Sequence, residues 1–327
     1  AEAVRLAGAL PPPTPPPEET PPRRGGALHS KRRDRVAVTS HYDVGNDFYA
    51  LVLGESMVYS CAYYPREHAT LEQAQAAKLD LVCRKLGLKP GQRLLDVGCG
   101  WGSLARHAAS RYGVDVVGVT LSAPQARYAR ERVAADGLES RIDIRVQDYR
   151  DVDDDPYDAI ASVGMAEHVG SRRFGEYAAR LRRLLRPGGR LLNHQIARRP
   201  QPDGSTYRVD RFIDRYVFPD GELSPLGATV SALEAVGFEV RDVEALREHY
   251  ARTLRQWVAN LERNWERAQR LTTPGRARVW RLYMAASASA FAHNRIGVNQ
   301  VLAVRTGADG TSGLDATRDA EGWTSTV

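Results

Sequence analysis

Residues 94–102 read LLDVGCGWG, an apolar run that closes on Asp96 and then on Gly98, Gly100 and Gly102, each two apart. Three readings are open. A strand, glycine loop and helix can hold a dinucleotide when the glycines follow G-x-G-x-x-G and the helix N-terminus meets the pyrophosphate. Here the third glycine comes one residue early, and Asp96 stands just before the loop, where its charge would repel a pyrophosphate. An acid there suits an ammonium or a sulfonium, which points to S-adenosylmethionine. The third reading is a tight strand-to-helix turn that serves packing alone.

The flanking sequence supplies the strand-and-helix alternation such a loop needs. Thr70 with Gln73 is a capping-box signal that opens a helix reaching Leu86 and stopping at Gly87. RLLDVGC reads as a buried strand, SLARHAASRYG as a helix and VDVVGVTL as a second strand. Ser122 with Gln125 is a second capping-box signal before PQARYARERVAADG. RIDIRVQD and YDAIASVG are the third and fourth strands; Arg172 to Arg186 is a helix stopped by Pro187-Gly188-Gly189, and RLLNHQI is the fifth strand. This order predicts an α/β fold with a parallel sheet covered on both faces and a ligand at the carboxyl ends of the strands. The second strand ends in GVTLS rather than in the acid that often serves ribose hydroxyls, so either Thr120 does that work or the ribose is held otherwise. Asp148, in VQDYRD, is a candidate for the adenine amino group, or a turn cap.

Of the 327 residues, 43% are apolar, and the mean hydropathy is −0.44. No apolar run approaches the ~18 residues needed to span a bilayer. Cys61, Cys83 and Cys99 are too few and too odd in number for a disulfide framework, so the cytoplasm is the expected compartment. The net charge is +6 and the pI about 9.3, which suits an anionic partner or simply solubility. Residues 1–35, with PPPTPPPEETPPRRGG and the basic run that follows, read as a disordered linker beside an upstream neighbour. Residues 36–305 read as the folded domain and 306–327 as a polar, disordered tail. No base-recognition module is visible, so nucleic acid is not expected as a partner.

Several separated stretches then agree on one family. HYDVGNDFYALVLGESMVYSCAYY (41–64), LLDVGCGWGSLA (94–105), GVTLS with Gln125, VGMAEHVG (163–170), NHQI (193–196) and REHYARTLRQW (247–257) resemble the cyclopropane fatty acid synthase and mycolic acid methyltransferase family. The resemblance covers roughly residues 36 to 305. It implies a class I methyltransferase fold, Rossmann-like, with a mostly parallel seven-stranded sheet and a helical lid or substrate-tunnel insertion. It also implies methyl transfer from S-adenosylmethionine to the cis double bond of a phospholipid acyl chain, through a carbocation that bound bicarbonate deprotonates. The matching positions for that site are Cys61, Glu167, His194, Ile196 through its backbone, and Tyr250, with Tyr42 as an aromatic near the reacting centre. Tyr59, Ser60, Gly98, Gly100, Thr120 and Gln125 match positions around the cofactor, and Asp96, Gly102, Leu121, Asp148 and Tyr149 complete that set. Each residue also has a plainer reading: Cys61 and His194 as core residues, Glu167 as a helix-start acid, Tyr250 as a packing aromatic.

RFIDRYVFPDGELSPLG (211–227), RLLNHQIA and RIGVNQVLAVR resemble the actinobacterial branch that makes 10-methylene fatty acids, precursors of tuberculostearic acid. A reductase partner would then finish the branch. A cyclopropane synthase with the same site is the alternative product reading. A small-molecule N- or O-methyltransferase and a non-catalytic cofactor-binding partner are alternatives of other classes. The arginines at 172, 173, 180, 182, 183 and 186 suggest transient contact with an anionic membrane surface, peripheral at the inner face of the cell membrane, or a solvated face.

Overall fold

The computed structural model describes residues 26–42, 44–201 and 209–314. Most of the proline-rich stretch and the end of the polar tail, residues 1–25 and 315–327, lie outside the described residues. The sheet is built from β1 (Arg93–Val97), β2 (Asp115–Thr120), β3 (Ile142–Val146), β4 (Tyr157–Val163), β5 (Leu185–Arg198), β7 (Glu239–Ala245) and β8 (Ile296–Val304) in the order β3-β2-β1-β4-β5-β8-β7. A two-residue β6 (Ser224–Pro225) adds to the end of β5. The first five strands are parallel, and β8 runs antiparallel between β5 and β7. The expected seven-strand sheet is therefore present, with this short addition.

The central strands are apolar on both faces because helices cover both. On one face α3 (Leu71–Leu86), α4 (Ser103–Tyr112) and α5 (Ala123–Ala135) bury Val82, Leu104 and Ala129 against Leu94 and Ile144. On the other, α7 (Phe174–Leu184) and α9 (Leu226–Ala235) bury Tyr177, Leu181 and Leu233 against Leu95 and Ile160. A third, aromatic cluster lies off the sheet. It joins α2 (Asn46–Leu53) to α10 (Arg247–Arg263), α11 (Trp265–Leu271) and α12 (Pro274–Ala292), around Trp257, Trp280, Tyr49 and Phe48. The last three of these helices are the helical insertion, placed between β7 and β8.

Local signals act as read at α3, where Thr70 and Gln73 make the full reciprocal capping box. At α5 only half of the expected box forms. Ser122 Oγ accepts from Gln125 N, but the Gln125 side chain turns to Thr120 Oγ1 at 3.0 Å. The helix expected over Arg172–Arg186 is shorter: Ser171–Arg173 is a 3-10 turn, α7 spans Phe174–Leu184, and β5 takes over at Leu185. Its Pro-Gly-Gly is drawn into the strand, with Gly188 N donating to Arg305 O.

The larger correction is at the N-terminal side. The domain boundary expected at residue 36 falls inside α1 (Lys31–Tyr42), so the basic run is part of a helix rather than a linker. Arg33 clasps Asp220 at 2.7 and 2.8 Å, Lys31 pairs with Asp151, and Asp34 receives Arg150 at 2.9 Å. These partners, Asp220, Asp151 and Arg150, lie more than a hundred residues away, so the basic run alone could not announce them.

Candidate functional site

At the carboxyl ends of β1 to β4 the backbone opens into a cleft. Asp96, Gly98, Gly100, Thr120, Leu121, Gln125, Asp148 and Tyr149 all line it, joined by Tyr59, Ser60 and Tyr42. The glycines differ in duty. Gly98 has φ +79°, and a Cβ there would stand 2.4 Å from Met165 Cγ. Gly100, at φ +53°, faces open space, so its backbone is available for close approach by a ligand. Gly102 does not line the cleft; a Cβ there would meet Ala129 Cβ at 3.0 Å, so it serves helix packing.

Asp96 has room because its lateral neighbours in the sheet are Gly118 and Ala161. It is 2% exposed, its Oδ2 has no hydrogen-bond partner, and burial pushes its carboxyl up to about 7. Thr120 Oγ1 donates to Gln125 Oε1 and accepts from Ser122 N, which fixes the end of β2. Asp148 caps the turn after β3 and is gripped by Arg150 at 2.8 and 2.6 Å. Burial works to raise its pKa, but Arg150 reverses this and the carboxyl ends below its usual value. The turn-cap reading of Asp148 is therefore satisfied in full, and the residue reaches the cleft as an already paired anion.

The cleft shares Tyr42, Tyr59, Ser60, Gly164 and His168 with a second, more apolar chamber of about 510 Å³. Cys61, Glu167, His194, Ile196 and Tyr250, drawn from four separate segments, all line it. Glu167 lies in the first turn of the short α6 (Ala166–Val169). Its Oε1 accepts from Ile196 N at 2.8 Å, while Oε2 is buried without a partner. Burial lifts its carboxyl to about 7, against the pull of that hydrogen bond. Ile196 thus meets the site through its backbone N–H, which orients Glu167.

His194, on β5, keeps both ring nitrogens buried and unpartnered. Burial, with the charges of Lys78 and Lys85, lowers its pKa to about 3, so the ring is neutral. The Cys61 thiol donates to Ala62 O and Leu246 O, and burial pushes its pKa well up, which suits a wall residue rather than a nucleophile. Burial likewise raises Tyr42 and Tyr250, so both phenols stay protonated. The ring of Tyr42 stands edge-on to that of Tyr59 at 6.3 Å.

Sequence reading missed Lys78, His168, Arg150 and Tyr283. Lys78 had a visible signal: with Ala74 and Val82 one helical turn to either side, it sits on the buried stripe of α3. The others had none, because their neighbours come from other elements. Among the described residues no group of His, Cys, Asp and Glu is arranged to hold a metal ion, and no helix is long and apolar enough to cross a membrane.

Comparison with known proteins gives the family and the fold. The family model described as mycolic acid cyclopropane synthetase matches residues 29–301. The chain is 47% identical over 289 residues to a probable fatty acid methyltransferase of Mycobacterium tuberculosis, covering 88% of this chain and 67% of that protein. It is 40% identical over 275 residues to the cyclopropane-fatty-acyl-phospholipid synthase of Escherichia coli, covering 84% and 69%. Among solved structures, the mycolic acid cyclopropane synthase CmaA1 complexed with SAH and CTAB superposes with a TM-score of 0.77 at 35% identity, covering 82% of this chain and 97% of that one.

Proposed function

This chain belongs to the mycolic acid cyclopropane synthetase family, as an S-adenosylmethionine-dependent methyltransferase of lipid acyl chains, and on that premise we propose that it methylates the cis double bond of an unsaturated phospholipid acyl chain to give a 10-methylene product. The observation that carries the reading is the junction of the two compartments. A cleft with a glycine loop opens, across Tyr42, Tyr59 and Ser60, into an apolar chamber that holds a carboxyl with one oxygen unpartnered and a neutral imidazole.

S-adenosylmethionine supplies an electrophilic methyl group when bound. The glycine loop, Asp96, Thr120, Leu121, Gln125 and Tyr149 would hold it. An alkene is a weak nucleophile and leaves a carbocation on the acyl chain once alkylated. The chamber suits this: apolar walls exclude water, and the rings of Tyr42, Tyr59 and Tyr250 offer π faces to a developing positive charge. A strongly nucleophilic base would itself be alkylated there. Cys61 and Tyr42 are held protonated, and neither competes.

Bicarbonate would supply the base. The residues present fit such an anion: Glu167, its carboxyl lifted to about 7 by burial, offers an O–H at Oε2 in its protonated form, neutral His194 an N–H, and Tyr250 a hydroxyl, all at buried positions. The methylene product rests on the likeness of RFIDRYVFPDGELSPLG and RIGVNQVLAVR to that branch, and a reductase would complete a methyl branch. Identity to the E. coli enzyme favours the cyclopropane alternative.

The same proposal puts a transient membrane contact at the chamber mouth, although Arg172 and Arg183 of the basic segment stay exposed. Arg173, Arg180, Arg182 and Arg186 are engaged by Glu176, Val152 O, Gly237 O and Asp158. Leu282, by contrast, lines the chamber while 56% exposed, with Arg295 also at the lining. The deciding experiment mixes protein, S-adenosylmethionine, bicarbonate and a cis-9 phospholipid, then examines recovered acyl esters by mass spectrometry and proton NMR. One added CH2 with vinylidene protons supports the methylene reading. High-field ring protons would replace it with a cyclopropane, and unmodified lipid would reject both.

A further inference from the structure

Lys78 and Asp96 line the same cleft, each 2% exposed, yet they form no ion pair among the described residues. The ammonium of Lys78 donates to a neutral partner, Ser60 Oγ, at 2.8 Å. Asp96 Oδ2 has no partner at all. Two opposite buried charges in one cleft ordinarily close on each other, since a buried charge left without a counter-charge is costly. Burial weakens both here, lowering Lys78 to about 8 and raising Asp96 to about 7. Such an arrangement suits a ligand that brings both missing charges with it.

We propose that Lys78 receives the carboxylate of the cofactor's amino-acid end and, with Asp96 facing the ammonium, forms a receptor for an α-amino-acid zwitterion. The inference rests on the S-adenosylmethionine reading above. Ser60 is part of the device. Its oxygen accepts from Lys78, so its own hydroxyl hydrogen is free to donate to the same carboxylate. Ser60 lines both the cleft and the acyl chamber, so the Lys78 ammonium bonded to it stands where the two compartments meet. A carboxylate docked on it anchors the amino-acid end of the cofactor on the chamber side of the cleft.

The test compares S-adenosylhomocysteine with its decarboxylated analogue, which keeps the amine, by calorimetric titration of the full chain. The wild type should bind S-adenosylhomocysteine about 30-fold tighter, the scale of a charge-assisted hydrogen bond. In Lys78→Met and Lys78→Gln the ratio should collapse to within about 3-fold, through weaker binding of the carboxylate-bearing ligand alone. Lys78→Arg should restore part of it. A ratio that persists in the neutral variants overturns the proposal, as does a wild type that does not discriminate. A merely structural lysine would weaken both ligands alike. If the neutral variants do not fold, the wild type and Lys78→Arg still decide by the same ratio. Failure of S-adenosylhomocysteine to bind the wild type would instead sink the cofactor reading, whereas equal binding of the two ligands sinks only the role of Lys78.

Discussion

The cofactor cleft and the acyl chamber meet at the same tyrosines but treat polar groups in opposite ways. In the cleft, Thr120, Gln125, Ser122, Asp148 and Arg150 are tied to one another, so much of that wall arrives already organised. In the chamber, Glu167 Oε2 and both nitrogens of His194 are buried with nothing to bond. A satisfied network shapes a site, whereas unsatisfied buried groups state what a site expects to receive. The cleft departs from this pattern at Asp96, whose Oδ2 is unpartnered, and at Lys78, whose bond goes to the neutral Ser60, and there the missing partner has a definite charge.

The largest effect that tests this contrast is Glu167→Gln. Lipid modification should fall about 1000-fold, within the range for loss of a proton-handling group. The dissociation constant for S-adenosylhomocysteine should stay within about 2-fold, because Glu167 does not line the cleft. Activity assays and calorimetry on one preparation check both, and a parallel loss of cofactor affinity would show that the two compartments are not separable.

Next comes stability against pH. Folded Glu167 holds its proton to about 7, whereas the unfolded carboxyl releases it near 4.5. Between those values the folded chain binds the extra proton, so this group's contribution to stability falls as pH rises. Denaturant titrations of the wild type and Glu167→Gln should therefore diverge across that window, the variant gaining about 3 kcal/mol relative to the wild type. Parallel curves would mean that the carboxyl titrates normally and that the chamber is wetter than its lining implies.

Gly98→Ala tests the cleft side. A methyl there meets Met165 and forces a positive φ on an L-residue, so stability should drop by about 1–3 kcal/mol in chemical denaturation. Gly100→Ala adds a methyl into open space but also puts an L-residue at φ +53°, so it should cost about 1 kcal/mol of stability and weaken cofactor binding. The smallest effect belongs to the rim. Arg33→Ala removes the clasp on Asp220 and should cost less than about 1 kcal/mol, since the pair is partly solvated. A larger loss would mean that α1 is a firmer part of the fold than a partly solvated ion pair implies.

Much of the fold was legible because its signals are local. The glycine loop, the Thr70 box and the apolar runs each report on neighbours within a turn or a strand, and the strands they predict are present. Family likeness named Glu167, His194 and Tyr250, but it could not say that Ile196 N–H would be spent on Glu167 or that Gly102 would turn to Ala129. Lys78 sat on a stripe whose period marked it as buried, yet burial alone does not tell a core lysine from a binding one. Its lack of an acidic partner is a statement about atoms from α3, β1 and the Ser60 segment together.

By itself, then, the sequence determined the alternation of strands and helices, the loop at residues 94–102 and the class of ligand that Asp96 would tolerate. Backbone propensity, capping and periodicity act over a few residues and are written in order along the chain. Only the tertiary structure decided which buried groups are paired. It converted a basic run into a helix clasped by distant acids, joined the two compartments at Tyr42, Tyr59 and Ser60, and left Glu167, His194, Lys78 and Asp96 with charges or hydrogen bonds to spare. Solvation and pairing depend on everything within a few ångströms of an atom, and that neighbourhood exists only once the chain has folded.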